Sequence, residues 1–454
     1  MHPHSAAEAA ALASAHYGVY ANLVLMSGPE NIGSISGTGL DFLLGYNPLV
    51  SARISADLDQ PVMSAEFRLN LGKGSKNLSP LMNVGAKQFG RSILDPGQYL
   101  NLYTKCVANA PLPFSAAWNA IPYRPCFTGR IDSADPAEDD NDVVVVRCRD
   151  IYADLLDTWI EPGPAGGWPL PGGIIQAHLF NMLDLVDRST RSNPLDPTSG
   201  TEFSKRHVAI TGAPTLGILP YNQQPGSTLQ SMRDAVLQSG WDLRGKYGSF
   251  GVGQDGFALT CYEPNRTLLN PYVITPSRYI SLRGLEKSRM EVRNVIEVTP
   301  AGPDRTPIKQ VDETSVLRYG RRYLGISEDA TSNIITVAQA LALNNAIMLD
   351  LREPKVGGLV TMRFHPFIEI NDVVQLNANQ VHHDTNLVVA VSGFEHTLTT
   401  NEDGSTEELT TLRTRATPAA ANKEWRDKQS PKMQYTGTGP PNFRAAQGAR
   451  YTEL

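Results

Sequence analysis

Ser315-Val-Leu-Arg-Tyr-Gly-Arg-Arg-Tyr323 opens the stretch on which the reading of this chain turns, residues 315–400. A helix-like segment over 333–351 follows and is closed by Glu353-Pro354. Leu359-Val-Thr-Met-Arg-Phe364 and Val373-Val-Gln-Leu376 then read as the two strands of a hairpin, joined by the turn Pro366-Phe-Ile-Glu-Ile-Asn-Asp372. A third run over 385–394 ends in Glu395-His396. The order is strand, Arg-rich turn, helix, hairpin, strand. It predicts a barrel-forming module that packs a helix on one side and offers its edges to neighbours. Arg318, Arg321 and Arg322 flank Tyr319-Gly320. A planar guanidinium suits bidentate contacts, so Arg318, Tyr319, Arg321 and Arg322 are read as subunit or partner contacts, together with Trp425.

Strand signals recur upstream. In residues 50–58, Val50, Ala52, Ile54, Ala56 and Leu58 alternate with polar partners, the period of a half-buried strand. Gln60-Pro61 breaks that run, and Ala65, Phe67 and Leu69 resume it. Residues 78–82 read as a turn, and 99–108, 126–132 and 143–148 as further strands, the last apolar enough to be covered on both faces. Residues 5–26 are Ala-rich and allow either a helix, with Ser5 and Glu8 as a capping box, or a mobile arm. Residues 31–39 read as a loop.

The middle of the chain mixes periods. Residues 150–160 have helical spacing, with Ile151, Leu155, Leu156 and Trp159 on one face. The Pro/Gly-rich residues 162–173 mark a boundary. Residues 174–186 and 228–239 follow as helices, the second stopped by Gly240, while 187–226 have no regular pattern. Trp241-Asp-Leu-Arg244 and Phe257-Ala-Leu-Thr-Cys261 flank a Gly-rich turn and read as a hairpin. Strands resume at 292–298, and Asn401-Glu-Asp-Gly404 turns the chain into a last strand over 406–415.

Composition excludes several classes. The chain has 454 residues, room for two to four domains, and a formal net charge of -6, which argues against a basic nucleic-acid surface. Its four cysteines, Cys106, Cys126, Cys148 and Cys261, have no CxxC spacing and are expected as buried free thiols. No signal peptide is read at the N-terminus, and no apolar run reaches the roughly 18 residues of a membrane helix, so no stable membrane insertion is expected.

Candidate chemistry is thin. Gly251-Val-Gly-Gln-Asp-Gly256 matches GxGxxG, but a strand follows it where a dinucleotide site needs a helix. Asp135, Glu138, Asp139, Asp140 and Asp142 lack the Gly of a calcium loop and read as a solvated hairpin tip. His382 and His383 would point to opposite faces of a strand. His365 and His396 end strands and read as packed or surface residues. Asp132 and Asp150 each close a strand and are the acids whose meeting the sequence does not decide. No nucleophile elbow, HExxH helix or Walker loop is present. No catalytic, cofactor or metal residue is assigned.

Four passages, in order, carry a resemblance. They are Leu49-Val-Ser-Ala-Arg-Ile-Ser-Ala-Asp-Leu-Asp-Gln60 with Ser64-Ala-Glu-Phe-Arg-Leu69; Phe127-Thr-Gly-Arg-Ile-Asp132 with Val143-Val-Val-Val-Arg-Cys-Arg-Asp150; Gln238-Ser-Gly-Trp-Asp-Leu243 leading to Pro264-Asn-Arg266; and Tyr319-Gly-Arg-Arg322 with the 366–376 segment. Over residues 40–415 the chain resembles the tail baseplate hub proteins of long-tailed bacteriophages, the late control protein D-like group. Many relatives carry Gly-Asp where Asn371-Asp372 stands; Asn also tolerates positive φ, so the turn is kept.

The resemblance implies a mixed, β-rich α+β fold with two tail-tube-like β-barrel domains and helix-containing domains attached. The divisions expected are an N-terminal arm over 1–33, a first barrel over 34–150, a mixed α+β domain over 151–285, a second barrel over 286–417 with a helix packed over 330–353, and an extended or disordered tail over 418–454. It implies a structural role as a homotrimer. Its two barrels per copy would present a pseudo-sixfold face to the tail tube or distal tail protein and a threefold one to a central spike or tip. A tape measure protein is a further partner, viral DNA passes through transiently, and the site of residence is the virion after assembly in a host cytoplasm. The alternative is a β-rich enzyme, such as a glycan hydrolase working through two carboxylates. Against it, Trp118, Trp159, Trp168, Trp241 and Trp425 are scattered and do not gather as in a sugar cleft.

Overall fold

The computed structural model describes residues 12, 17–26, 38–39, 47–70, 94, 96–108, 122–138, 143–160, 168–170, 173–175, 177–179, 181–183, 217–218, 221–223, 226–237, 240–249, 255–275, 278–288, 292–326, 334, 336–377, 386–400 and 406–415. The expected turns at 78–82 and 401–404, Gly251, the acids Asp139, Asp140 and Asp142, His382, His383, Trp425 and the tail over 418–454 lie outside these residues.

The first strands are β1 (Tyr17–Met26), β2 (Thr38–Gly39), β3 (Leu49–Asp57), β4 (Ser64–Asn70), β5 (Tyr99–Ala108), β6 (Arg124–Pro136) and β7 (Val143–Asp150). Helix α1 (Ala153–Asp157) leads to the short strands β8 (Trp159–Ile160), β9 (Trp168–Leu170), β10 (Gly173–Ile174), β11 (Gly217–Ile218), β12 (Tyr221–Gln223) and β13 (Gly226–Ser227). Helix α2 (Thr228–Leu237) precedes the hairpin of β14 (Asp242–Ser249) and β15 (Asp255–Tyr262). Then come β16 (Tyr272–Val273), β17 (Tyr279–Ser288), β18 (Val295–Val298), β19 (Ile308–Val311), helix α3 (Glu313–Tyr319) and β20 (Tyr323–Ile326). Helix α4 (Val337–Leu351) and the strands β21 (Lys355–Arg363), β22 (Val373–Leu376), β23 (Leu387–Thr400) and β24 (Thr406–Arg415) complete the order.

Strands from both ends of the chain form one curled sheet. Among the described residues it runs β17-β21-β24-β23-β3-β4-β7-β6-β5-β1-β2, with β22 on β23 and β16 on β22. The class is β-rich, as expected, and the strands expected in two barrels are hydrogen-bonded into a single layer. The joint is β23. One of its edges carries β24; the other pairs first with β22 through residues 387–390, then with β3 through residues 393–399. A register shift between Val391 and Gly393 separates the two partners and lets one strand serve both.

The core follows the alternation read from sequence. Ala52, Ile54 and Leu58 are buried on β3 and its turn, and Ala65, Phe67 and Leu69 on β4. One continuous apolar cluster extends from these residues through Phe127, Val146 and Leu412 to α1 and α2 and the hairpin. The residues 175, 177–179 and 181–183 are helical, and Ile175, Leu179, Met182 and Leu183 are buried in this cluster, as their spacing predicts. On α2, Leu229, Met232 and Val236 are fully buried, and Gly240 follows with φ of 73°. All four cysteines are free and buried.

Several expectations are corrected. Residues 17–26 form a strand, not a helix or an arm, because all ten pair with β5; a long ladder overrides local preference. Thr38–Gly39 pairs with β1 where a loop was expected. Residues 217–218, 221–223 and 226–227 are short strands within a segment expected to be irregular. Trp159 is 59% exposed: α1 ends at Asp157, and the extended backbone of Thr158 carries Trp159 off the helical face. Ser315 to Tyr319 is helical rather than strand, capped by Asp312, whose carboxylate accepts the Ser315 N–H at 2.9 Å. Finally, β21 and β22 do not form a hairpin. β21 pairs with β17 and β24, whereas β22 pairs with β16 and β23.

A second, smaller layer holds β18, β19 and β20 with α4 packed on it. Thr336 and Gln339 form a capping box at the start of α4, the device that fixes a helix entry. No helix among the described residues is long and apolar enough to cross a membrane.

Candidate functional site

The expected contact residues sit on the α3 segment. Gly320 ends that helix with φ of 77°, a conformation open to glycine. Tyr319 donates its hydroxyl to Glu353 Oε2 at 3.0 Å, and Arg318 lies 3.9 Å from Glu353 Oε1. Arg322 is half-buried; its backbone N–H donates to Asn294 Oδ1 at 2.7 Å, and its Nε to the Tyr319 carbonyl at 3.4 Å. Fully buried Asn294 also donates to the Gly320 carbonyl at 2.8 Å, and Ser315 Oγ donates to the Arg352 carbonyl. Tyr319 and Arg322 are thus held within the chain. Arg318, Arg321 and the 88% exposed Leu317 face solvent.

Buried polar clamps hold the β14–β15 hairpin against the sheet. Asp242 is 2% exposed. It accepts from Arg244 Nε at 2.6 Å, Tyr262 Oη at 2.9 Å and Asn371 Nδ2 at 3.3 Å, with Arg233 at 3.7 Å. Burial alone would push this carboxyl up; Arg244 and Arg233 outweigh it and hold it below its ordinary value. Arg244 reaches on to the Leu58 carbonyl at 3.1 Å, just past β3. From the other side, the Tyr247 N–H donates to Glu369 Oε1 at 2.8 Å, and the Glu369 N–H to Asp372 Oδ2 at 2.8 Å. Asn371 sits between them with φ of 67°, so Asn keeps the turn here as expected. A second clamp joins the sheet side to α4. Arg266 donates Nε to Asp350 Oδ1 at 2.8 Å and Nη2 to the Gly240 carbonyl at 2.6 Å. A side chain at Gly240 would meet the Ala346 Cβ at 2.5 Å, so the loop and α4 approach too closely for any residue but glycine there.

The two acids left open in the sequence part company. Asp132 is held by Arg149 at 2.7 Å and by Arg130 in a partly exposed network with Asp154 and Asp157. Asp150, the next residue on β7, points to the opposite face and is buried. His365 and His396 are both packed: His365 against Tyr272, and His396 stacked on Phe394 and hydrogen-bonded to Thr410 at 2.9 Å. The GxGxxG match ends inside β15, as a hairpin requires. Among the described residues no three His, Cys, Asp or Glu gather as they would around a metal ion. The clamps join residues far apart in sequence. Asp242, Arg266, Glu369, Asn371 and Asp372 fall inside the four passages quoted for the resemblance, whereas Arg233, Arg244, Tyr262 and Asp350 lie outside them; Asp242 and Arg244, two apart on one strand, share a face. That spacing was the one local signal for a buried charge pair.

No protein-family model matches this chain. No curated protein matches it in sequence. Solved structures do match in shape. A tail protein from Neisseria meningitidis MC58 is 12% identical, with a TM-score of 0.50 over 88% of this chain and 96% of that one. The 43 kDa tail protein of prophage MuSo2 from Shewanella oneidensis is 14% identical, with a TM-score of 0.51 over 88% of this chain and 99% of that one. The expectation of a tail-protein architecture therefore stands at the level of the fold: this chain folds as these two tail proteins do.

Proposed function

We propose that the chain is a structural hub of a phage tail baseplate or tail tip. It joins the hexameric tail tube to a threefold spike or tip and lines the channel through which DNA leaves. The observation that carries this reading is the β3–β23 joint. It pairs the strands of two β-rich regions into one sheet, within a fold shared with tail proteins along most of its length. Two such regions fixed in one copy give six near-equivalent units in a trimer, which matches a sixfold tube to a threefold tip. On this reading the partners are two further copies, the tail tube or distal tail protein, the spike or tip, and the tape measure protein. The exposed Arg318, Arg321 and Leu317 belong to the contact surface, with Trp425. The protein resides in the virion.

The test is the mass of the purified chain in solution by light scattering, followed by averaged particle images. The expected result is three times the 49.4 kDa chain mass and a ring with a central channel. A monomer that stays monomeric when tube protein is added overturns the reading.

A further inference from the structure

A pocket lies where the β3–β4 turn, the β14–β15 hairpin and the 366–370 turn meet the sheet. Asp150 lines it at the point where the chain leaves β7 for α1. The residue is 1% exposed. Its carboxylate accepts the Met63 N–H at 2.6 Å and the Tyr152 N–H at 2.9 Å. The cations around it are committed to other acids. Arg149 holds Asp132 and Asp157 on the opposite face, Arg244 holds Asp242, and Lys246 lies 3.6 Å from Glu369. The remaining titratable groups in the lining are uncharged near neutral pH. Burial holds His396 down to about 3 and pushes Cys126 up to about 12; it also raises Tyr247 above its ordinary value. Among the described residues, Asp150 is therefore a buried carboxyl with backbone donors and no ion pair of its own, beside a pocket partly lined by polar groups. That is the setting in which a charge is costly until water reaches it.

We propose that Asp150 is a pH-responsive latch: neutral, it keeps the junction of sheet and hairpin closed; ionised, it draws water into the pocket and loosens the seat of the hairpin. Burial pushes its carboxyl up to about 7, against the downward pull of the Met63, Tyr152 and Ala153 N–H groups and of Arg149. The folded value lies above the ordinary 3.8. Its contribution to stability is therefore complete below that ordinary value and is lost as pH rises through about 7. The inference does not depend on the hub reading.

Amide exchange of the full chain tests it, compared at about pH 5.5 and about pH 8.5 after correction for intrinsic rates. Wild type is set beside Asp150→Asn, which keeps an accepting oxygen but cannot ionise. In wild type, segments at 62–65, 150–155 and 242–247 are expected to lose protection about tenfold or more on going to the higher pH. The variant stays flat, and β24 is unchanged in both. Equal pH dependence in the two proteins, or none in wild type, overturns the latch. If Asp150→Asn fails to fold, carbon-13 titration of aspartate carboxyls in wild type decides. A midpoint near about 7 upholds the proposal, and titration of every carboxyl near about 4 overturns it.

Discussion

The large sheet and the smaller layer of β18–β20 with α4 are built from similar apolar residues, yet they are joined to their surroundings in different ways. The sheet is held by backbone ladders along its full width, and its apolar cluster runs unbroken into α1, α2 and the hairpin. The smaller layer keeps a separate cluster of Ile296, Val298, Leu324, Ile326, Leu343, Ile347 and neighbours. Among the described residues it is tied to the rest by the Arg266–Asp350 pair and by the close approach at Gly240. A region fixed by a continuous ladder fails as a whole. A region fixed by a clamp is released when the clamp is cut.

Three substitutions break or sharpen that contrast. Phe67→Ala removes a fully buried ring that meets Phe127 edge-on at 5.7 Å. It should cost about 3–5 kcal/mol, read from urea unfolding, with strands from both ends of the chain losing protection together. Protection kept at β21–β24 would mean that the sheet is not one cooperative unit. Asp350→Ala strips the partner from Arg266, whose side chain is 6% exposed. The expected loss is about 3 kcal/mol, with amide exchange rising in 295–326 and 337–351 while β3–β7 stay protected. Equal loss in the sheet would break the comparison. Thr336→Ala removes one half of a capping box and should cost about 1 kcal/mol. Its effect is confined to the first turn of α4, which helical content and local exchange would report.

What could be read beforehand followed from how local the cause was. The alternation of Ala52, Ile54 and Leu58 and the helical spacing of Leu229, Met232 and Val236 are local patterns, and the structure buries those residues. The strand at 17–26 was not legible, because its cause is a ladder to β5 about eighty positions away. Helix α3 was misread because its start signal, Asp312, lies ahead of the apolar run at Ser315. The 366–372 turn was recognised as a turn, but its flanking strands take partners supplied by β17, β24, β16 and β23. The clamps were the least visible part. Arg266 and Asp350 are 84 positions apart, and Asp242 and Asn371 are 129 apart. No local period encodes a meeting at that range.

The β3–β23 joint also bears on how the chain is made. Arg53 on β3 meets Glu395 on β23 across 342 positions. At ordinary rates of synthesis that gap is on the order of tens of seconds. Throughout it, one side of β3 stands as an unpaired row of donors and acceptors while β4 already covers the other. Such a row pairs readily with another copy of itself, so crowded ribosomes on one message are the hazard for this protein. A product cut short before residue 387 would carry that open edge for life.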